Sequence, residues 1–175
     1  MKNANRMICW LTAAMAIAST AAQTRPDFSG VWRWVNPPKP TRPAPDLPPG
    51  APPLPELPPP PKHISTTIVH SATEMKVEHR SEREGREEVL AWVYKLDGSE
   101  SVNKVGRSLY RTTAAWKGDA LVLTSTVPME GQPDWRITDV YRIENGDLVI
   151  ENTTVNFRGT FSGKSVYRKV LEAVS

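Results

Sequence analysis

A run of proline constrains this chain more than any other feature of its sequence. Of the 25 residues from Pro37 to Pro61, 14 are proline. Proline has no amide hydrogen to give to a helix or a sheet, and it restricts the residue before it to extended conformations. Residues 36–62 are therefore predicted to form an extended loop or spacer of the polyproline II type. A folded domain must be assembled from the segments on either side of it.

The first 22 residues have the pattern of a secretory signal peptide. Lys2 and Arg6 make a positive start, an apolar stretch runs to Ala18, and small residues end at Ala22. We expect cleavage after Ala22, with Ala21 as the near alternative, which would export the mature chain to the periplasm or out of the cell. The alternative is an uncleaved N-terminal anchor.

The expected mature chain excludes several classes of function by its composition. Cleavage leaves 20 basic and 19 acidic side chains, and it removes Cys9, the only cysteine. A nearly neutral chain lacks the positive charge that nucleic-acid binding requires. Without cysteine it has no disulfide, thiolate metal site or cysteine nucleophile. No apolar run reaches the ~18 residues of a membrane-spanning helix.

Short β-strands account for the sequence on both sides of the proline run. Residues 23–35 give a lead and a first strand rich in aromatic and β-branched residues. Residues 63–175 hold eight further segments of this kind, separated by turn residues. No window longer than a strand has the 3.6-residue apolar stripe of a helix. The sequence predicts a single all-β domain of about nine strands.

Four tight turns predict how these strands pair. A two-residue loop pairs residues of opposite parity, and paired side chains share a face of the sheet. Loops at 72–73, 84–85, 118–119 and 145–146 each bring bulky apolar residues together. We predict an antiparallel up-and-down meander rolled into a small barrel, because rolling removes exposed edges; a two-sheet sandwich is the alternative. The predicted pairs are Ile68/Val77, His70/Met75, Val77/Trp92, Met75/Tyr94, His79/Leu90, Trp116/Leu121, Ala114/Leu123, Ile143/Leu148 and Tyr141/Ile150.

Two motifs resemble those of a group of small exported bacterial proteins. These proteins begin with FSGxW after a signal peptide and carry a W-x-G-D-x-L-V hairpin, as at residues 28–32 and 116–122 here. The group is similar in outline to lipocalins and fatty-acid-binding proteins, and Gly30-Val31-Trp32 matches the lipocalin G-x-W. The resemblance implies a calycin-like barrel in which Arg168 packs over the tryptophan. The R-x-Y pair that grips a carboxylate in fatty-acid-binding proteins is missing.

Recognisable catalytic and metal-binding motifs are missing as well. The sequence has no G-x-S-x-G elbow and no phosphate-binding glycine loop. His63, His70 and His79 lack the spacing and the neighbouring carboxylates of a metal site. We therefore expect no enzyme, no metal and no cofactor. A hydrolase whose groups meet only in space is a third, weaker hypothesis.

Aromatic residues supply the candidate binding site. Rings on the predicted inner face could line a cavity for a small apolar molecule, or they could simply fill the barrel. We predict an exported, non-enzymatic barrel that binds or carries such a molecule, with the proline segment as a stiff lid or spacer. The alternative is a structural or interaction module of the cell envelope with a solid core. It would bind an envelope protein or a second copy through its valine-rich outer face or its proline segment. The predicted ligand-binding residues are Trp32, Trp92, Tyr94, Tyr110, Trp116, Trp135 and Tyr141.

Overall fold

A computed structural model describes residues 25–35 and 62–171 of the chain. The predicted signal peptide, and the proline-rich segment up to Pro61, lie outside the described residues. Among the residues described, no helix has the length and the apolar character needed to cross a bilayer.

Ten β-strands make up the described part of the chain, and their alternating, β-branched sequences explain their formation. The strands are β1 (Gly30–Trp34), β2 (Lys62–His70), β3 (Glu74–Arg83), β4 (Arg86–Lys95), β5 (Ser101–Val105), β6 (Ser108–Lys117), β7 (Ala120–Val127), β8 (Trp135–Glu144), β9 (Asp147–Asn156) and β10 (Gly159–Lys169).

One antiparallel sheet contains all ten strands, in the order β4-β3-β2-β1-β10-β9-β8-β7-β6-β5. Neighbours in the sheet are neighbours in sequence, except that β1 pairs with β10. The predicted meander is therefore confirmed, and a sandwich of two sheets does not describe it. The sequence predicted about nine strands and omitted β5, which is short and mostly polar.

The two ends of the sheet, β4 and β5, are joined by side chains. The backbone N–H of Val93 donates to Oδ1 of Asn103 at 2.8 Å, and Nδ2 of Asn103 donates to the carbonyl oxygen of Val93 at 3.0 Å. The N–H of Lys95 donates to Oγ of Ser101 at 2.7 Å. The side chain of Asn103 therefore takes the place of a backbone partner for the N–H and C=O of Val93 at the edge of β4. These bonds form the seam of a rolled barrel.

Tight turns set the strand register, as the sequence predicted. Asn145 and Gly146 have φ values of 53° and 85°, and Glu84 and Gly85 have φ values of 52° and 74°. Positive φ at both central residues is the type I′ geometry, whose twist matches that of the paired strands. All nine predicted residue pairs occur in the sheet.

An apolar core cluster packs inside the barrel, with a layer of rings near one end of it. The fully buried Phe28 stacks on Trp116 at a centroid distance of 5.9 Å and on His70 at 5.5 Å. It also meets Tyr141 edge-on at 6.0 Å. This layer lies near the turns at 71–73, 118–119 and 145–146. Aromatic pairs of this kind add to the stabilisation that burial alone gives.

Trp32 lies in the core, and the cation that packs on its ring is Lys169 and not Arg168, which the resemblance implied. Its indole N–H donates to the carbonyl oxygen of Phe28 at 2.9 Å, and the ammonium of Lys169 lies 5.5 Å from its ring centroid. Trp32 pairs with Lys169 across β1 and β10, which puts both side chains on one face. Arg168 alternates to the other face and pairs with Asp147, so the expectation for Arg168 is wrong.

Candidate functional site

A cavity of about 290 Å³, partly open to solvent, occupies the barrel interior. Its walls come from strands at both ends of the sheet order, because the sheet has rolled up. Tyr94 on β4, the first strand of that order, and Tyr110 on β6, the last but one, both line it. The lining residues are His79, Trp92, Tyr94, Tyr110, Ser125, Ile137, Asp139, Tyr141, Ile150, Asn152, Ser165 and Tyr167.

Four of the seven predicted ligand-binding residues line this cavity, namely Trp92, Tyr94, Tyr110 and Tyr141. The other three lie elsewhere. Trp32 is in the core, Trp116 stacks on Phe28, and Trp135 begins β8 outside the cavity wall. Lining a cavity does not by itself demonstrate binding, so the binding role of the four stays a prediction.

The sequence analysis missed the polar members of the wall. Asp139 precedes Tyr141 by two residues on β8 and so shares its face, a signal that alternation alone could have given. Asn152 lies directly opposite Asp139 on β9 and follows from the same register. The position of Tyr167 in the wall depends on the register of β10. Phe157 and Arg158, which connect β9 to β10, are not typical turn residues, so the sequence did not predict that register.

Asp139 is the acidic group of the cavity. Nδ2 of Asn152 donates a hydrogen bond of 2.6 Å to its Oδ1. Burial raises the pKa of Asp139, because the charged carboxylate loses hydration, and the bond from Asn152 opposes that rise. The cavity wall contains no Lys or Arg. Asp139 is therefore a partly buried carboxylate with one hydrogen-bond donor and no cation beside it in the wall.

Three tyrosines of the wall keep their hydroxyl protons. Burial raises the pKa of Tyr167 to about 12, and it raises the pKa values of Tyr94 and Tyr141 as well. The charge of Asp139 adds to all three increases. These phenols are neutral at physiological pH and offer both donors and acceptors to a ligand.

A hydroxyl held between two histidines supports the wall at His79. Nε2 of His63 lies 3.0 Å from Oγ1 of Thr66, and that oxygen lies 2.7 Å from Nδ1 of His79. Burial, and then the charge of His63, lowers the pKa of His79 to about 4, and burial lowers the pKa of His63. A register shift between His63 and Ser65 lets His63 join the group, which two-residue parity could not predict.

Thr66 is fully buried, so its hydroxyl holds the two imidazoles in place and is out of reach of a substrate. The imidazole of His79 meets the indole of Trp92 edge-on, at a centroid distance of 5.3 Å. This contact packs the histidine pair against the indole of Trp92, which lines the cavity. Within residues 25–35 and 62–171, no three His, Cys, Asp or Glu side chains are grouped as metal ligands would be.

Comparison with known proteins finds distant similarity in fold. No family model and no curated protein matches the chain. Similar solved structures include zebrafish ileal bile acid-binding protein complexed with cholic acid, at 17% identity over 61% of this chain and 72% of that one, with a TM-score of 0.41. Secretory abundant heat soluble protein 4 from Ramazzottius varieornatus has 19% identity over 61% and 69%, with a TM-score of 0.45. Human cRBP IV has 10% identity over 83% and 99%, with a TM-score of 0.45. These likenesses are too remote to bear on function.

Proposed function

We propose that this protein is an exported, non-enzymatic barrel that binds a small, mainly apolar molecule in its interior. The observation that supports the proposal is the interior cavity, whose wall includes Trp92, Tyr94, Tyr110 and Tyr141. Its volume of about 290 Å³ is at the lower end of the roughly 300–1,000 Å³ typical of ligand pockets. The ligand is therefore a compact molecule and not a long-chain lipid.

The character of the wall supports a binding function. Aromatic and aliphatic side chains supply the apolar contact area, and a few polar groups orient the ligand, as in most small-molecule sites. His79 is held neutral and faces Trp92, and the fully buried Thr66 is out of reach of a substrate. A histidine with a pKa of about 4 is a weak base at neutral pH, so these two side chains are suited to shaping the wall of a binding site.

A cavity-filling variant tests the proposal directly. Ser165 lines the cavity on β10, so Ser165→Phe would place a ring inside it. Ser162 lies on the same strand, is exposed and alternates to the other face, so Ser162→Phe is a matched control. The probe is N-phenyl-naphthylamine, a neutral aromatic molecule whose fluorescence rises in an apolar site.

We expect saturable probe binding to the wild-type protein and to Ser162→Phe, and binding weakened about tenfold or more by Ser165→Phe. Thermal unfolding of both variants checks that the barrel is intact. If the wild-type protein fails to bind the probe, and solvent extraction of the purified protein yields no small molecule by mass spectrometry, the proposal is wrong.

A second candidate function, protein interaction, rests on the outer surface. Val69, Val89, Val93 and Val102 on β2, β4 and β5 are between 39% and 60% exposed. Such residues could meet an envelope protein or a second copy of the chain. Sedimentation of the wild-type protein beside Val89→Lys would show the self-association that this hypothesis requires, and a concentration-independent monomer would argue against a homodimer.

Export is proposed from residues 1–22 and has a separate test. The full chain would be expressed in a bacterium, and the periplasmic fraction examined by intact-mass spectrometry. A mature chain that begins at Gln23 is expected. A full-length chain retained in the membrane fraction would point instead to an uncleaved anchor.

A further inference from the structure

The chemistry of the cavity wall specifies more than an apolar ligand. Among its twelve lining residues, Asp139 is the only acid, and none is Lys or Arg. His79 is neutral because burial lowers its pKa to about 4. When ionised, Asp139 is thus the only formal charge of the wall at neutral pH, and its one recorded hydrogen bond within the described residues is to Asn152.

A partly buried carboxylate without a cation beside it is costly to the folded protein. Removing a charge from water requires compensation by hydrogen bonds or by an opposite charge. Asn152 supplies one donor to Oδ1 of Asp139, and Asp139 has at most a few more acceptor positions to fill. A ligand that brings a positive charge to this carboxylate would supply the missing compensation.

The rings of the wall favour the same kind of ligand. A cation within about 6 Å of the centre of an indole or phenol ring is attracted by the negative face of that ring, and desolvation strengthens the attraction. Trp92, Tyr94, Tyr110 and Tyr141 surround the space that Asp139 lines. Aromatic rings around a single carboxylate are a suitable environment for an ammonium group on an apolar body.

We propose that the ligand of this cavity is a small organic amine, bound as its ammonium ion, with the ammonium group at Asp139 and the apolar body among the aromatic rings. This inference rests on the proposed function of the cavity and specifies its ligand class. An anionic ligand is disfavoured, because it would lie beside Asp139 with no cation in the wall to neutralise it. The amine must also be compact, given a cavity of about 290 Å³.

Three ligands with one ring system and different head groups test this assignment. Naphthylethylamine, naphthylethanol and naphthylacetic acid are titrated into the full mature chain by calorimetry at pH 7. Asp139→Asn keeps the size of the side chain and an oxygen that can accept the bond from Asn152, but it removes the charge. Asp147→Asn is the matched control, because Asp147 pairs with Arg168 on the outer side of the barrel.

The amine should bind the wild-type protein and Asp147→Asn at least about tenfold more tightly than the alcohol, and the acid should bind most weakly. Asp139→Asn should abolish the preference for the amine while leaving the alcohol affinity within about twofold, which also shows that the variant is folded. The inference is overturned if the acid binds best, if amine and alcohol bind the wild-type protein equally, or if Asp139→Asn keeps the preference. In each of those results N-phenyl-naphthylamine can still bind, so the ligand class fails separately from the binding function.

Discussion

Acidification should destabilise this barrel through His79. The pKa of His79 is about 4 in the folded protein, against 6.5 for an unperturbed histidine. Between those two pH values the unfolded chain binds a proton that the folded protein excludes. The stability is therefore complete above about pH 6.5 and is lost as the pH falls toward 4. At roughly 1.36 kcal/mol per pKa unit, the loss amounts to about 3 kcal/mol at pH 4.

Urea unfolding from pH 7 to pH 4 measures this loss, and His79→Gln isolates its source. Carboxylates titrate in the same range in both proteins, so the difference between the two pH profiles reports on the histidine. Below pH 6.5, the free energy of unfolding should fall less steeply with decreasing pH in His79→Gln than in the wild-type protein. The difference should correspond to the binding of about one proton. Val89→Gln, at an exposed site on the neighbouring strand, should keep the wild-type slope. Identical slopes in the wild-type protein and His79→Gln would refute the reasoning.

Three further substitutions test the fold itself. Asn103→Ala removes both side-chain bonds to Val93 at the seam, and it should cost about 1–3 kcal/mol in urea unfolding and speed hydrogen exchange of the Val93 amide. Leu121→Ala empties a fully buried position and should cost about 2–5 kcal/mol by the same method. Gly30→Ala forces a φ of +141° on a residue with a side chain, beside the flexible end of Lys169, and should lower the stability by about 1–3 kcal/mol in thermal unfolding.

Local rules predicted the register of this sheet well. Asn145-Gly146 adopts the positive φ values that its sequence favours, and the predicted pairs Tyr141/Ile150 and Ile143/Leu148 follow from that turn. The same logic placed Trp92 opposite Val77. Short turns fix the pairing of adjacent strands because they leave no slack in the chain, and apolar side chains then settle on one face.

Contacts between distant strands were beyond the sequence rules. The pairing of Trp32 with Lys169, and not with Arg168, depends on the register between the first and last strands, which no turn sets. His63 reaches Thr66 because of a register shift in β2. The side-chain seam at Asn103 depends on how far the whole sheet curls. Each of these features comes from tertiary closure, which local sequence patterns do not specify.

The cavity was predictable in part. Alternation put Trp92, Tyr94, Tyr110 and Tyr141 on one face, and all four line the space. The same alternation also placed Trp116 there, but a residue of the N-terminal lead, Phe28, covers that end of the barrel. Alternation predicts which face of a strand a side chain lies on. It does not predict whether that side chain lies at the level of the cavity or at a level of the barrel that other side chains fill.

A crystal structure of the protein with N-phenyl-naphthylamine bound would test the central claim most directly. The account predicts density for one probe molecule inside the barrel, between Trp92 and Tyr141 and beside Asp139. A lumen filled by protein side chains, with the probe on the valine-bearing outer surface or absent at saturating concentration, would contradict it.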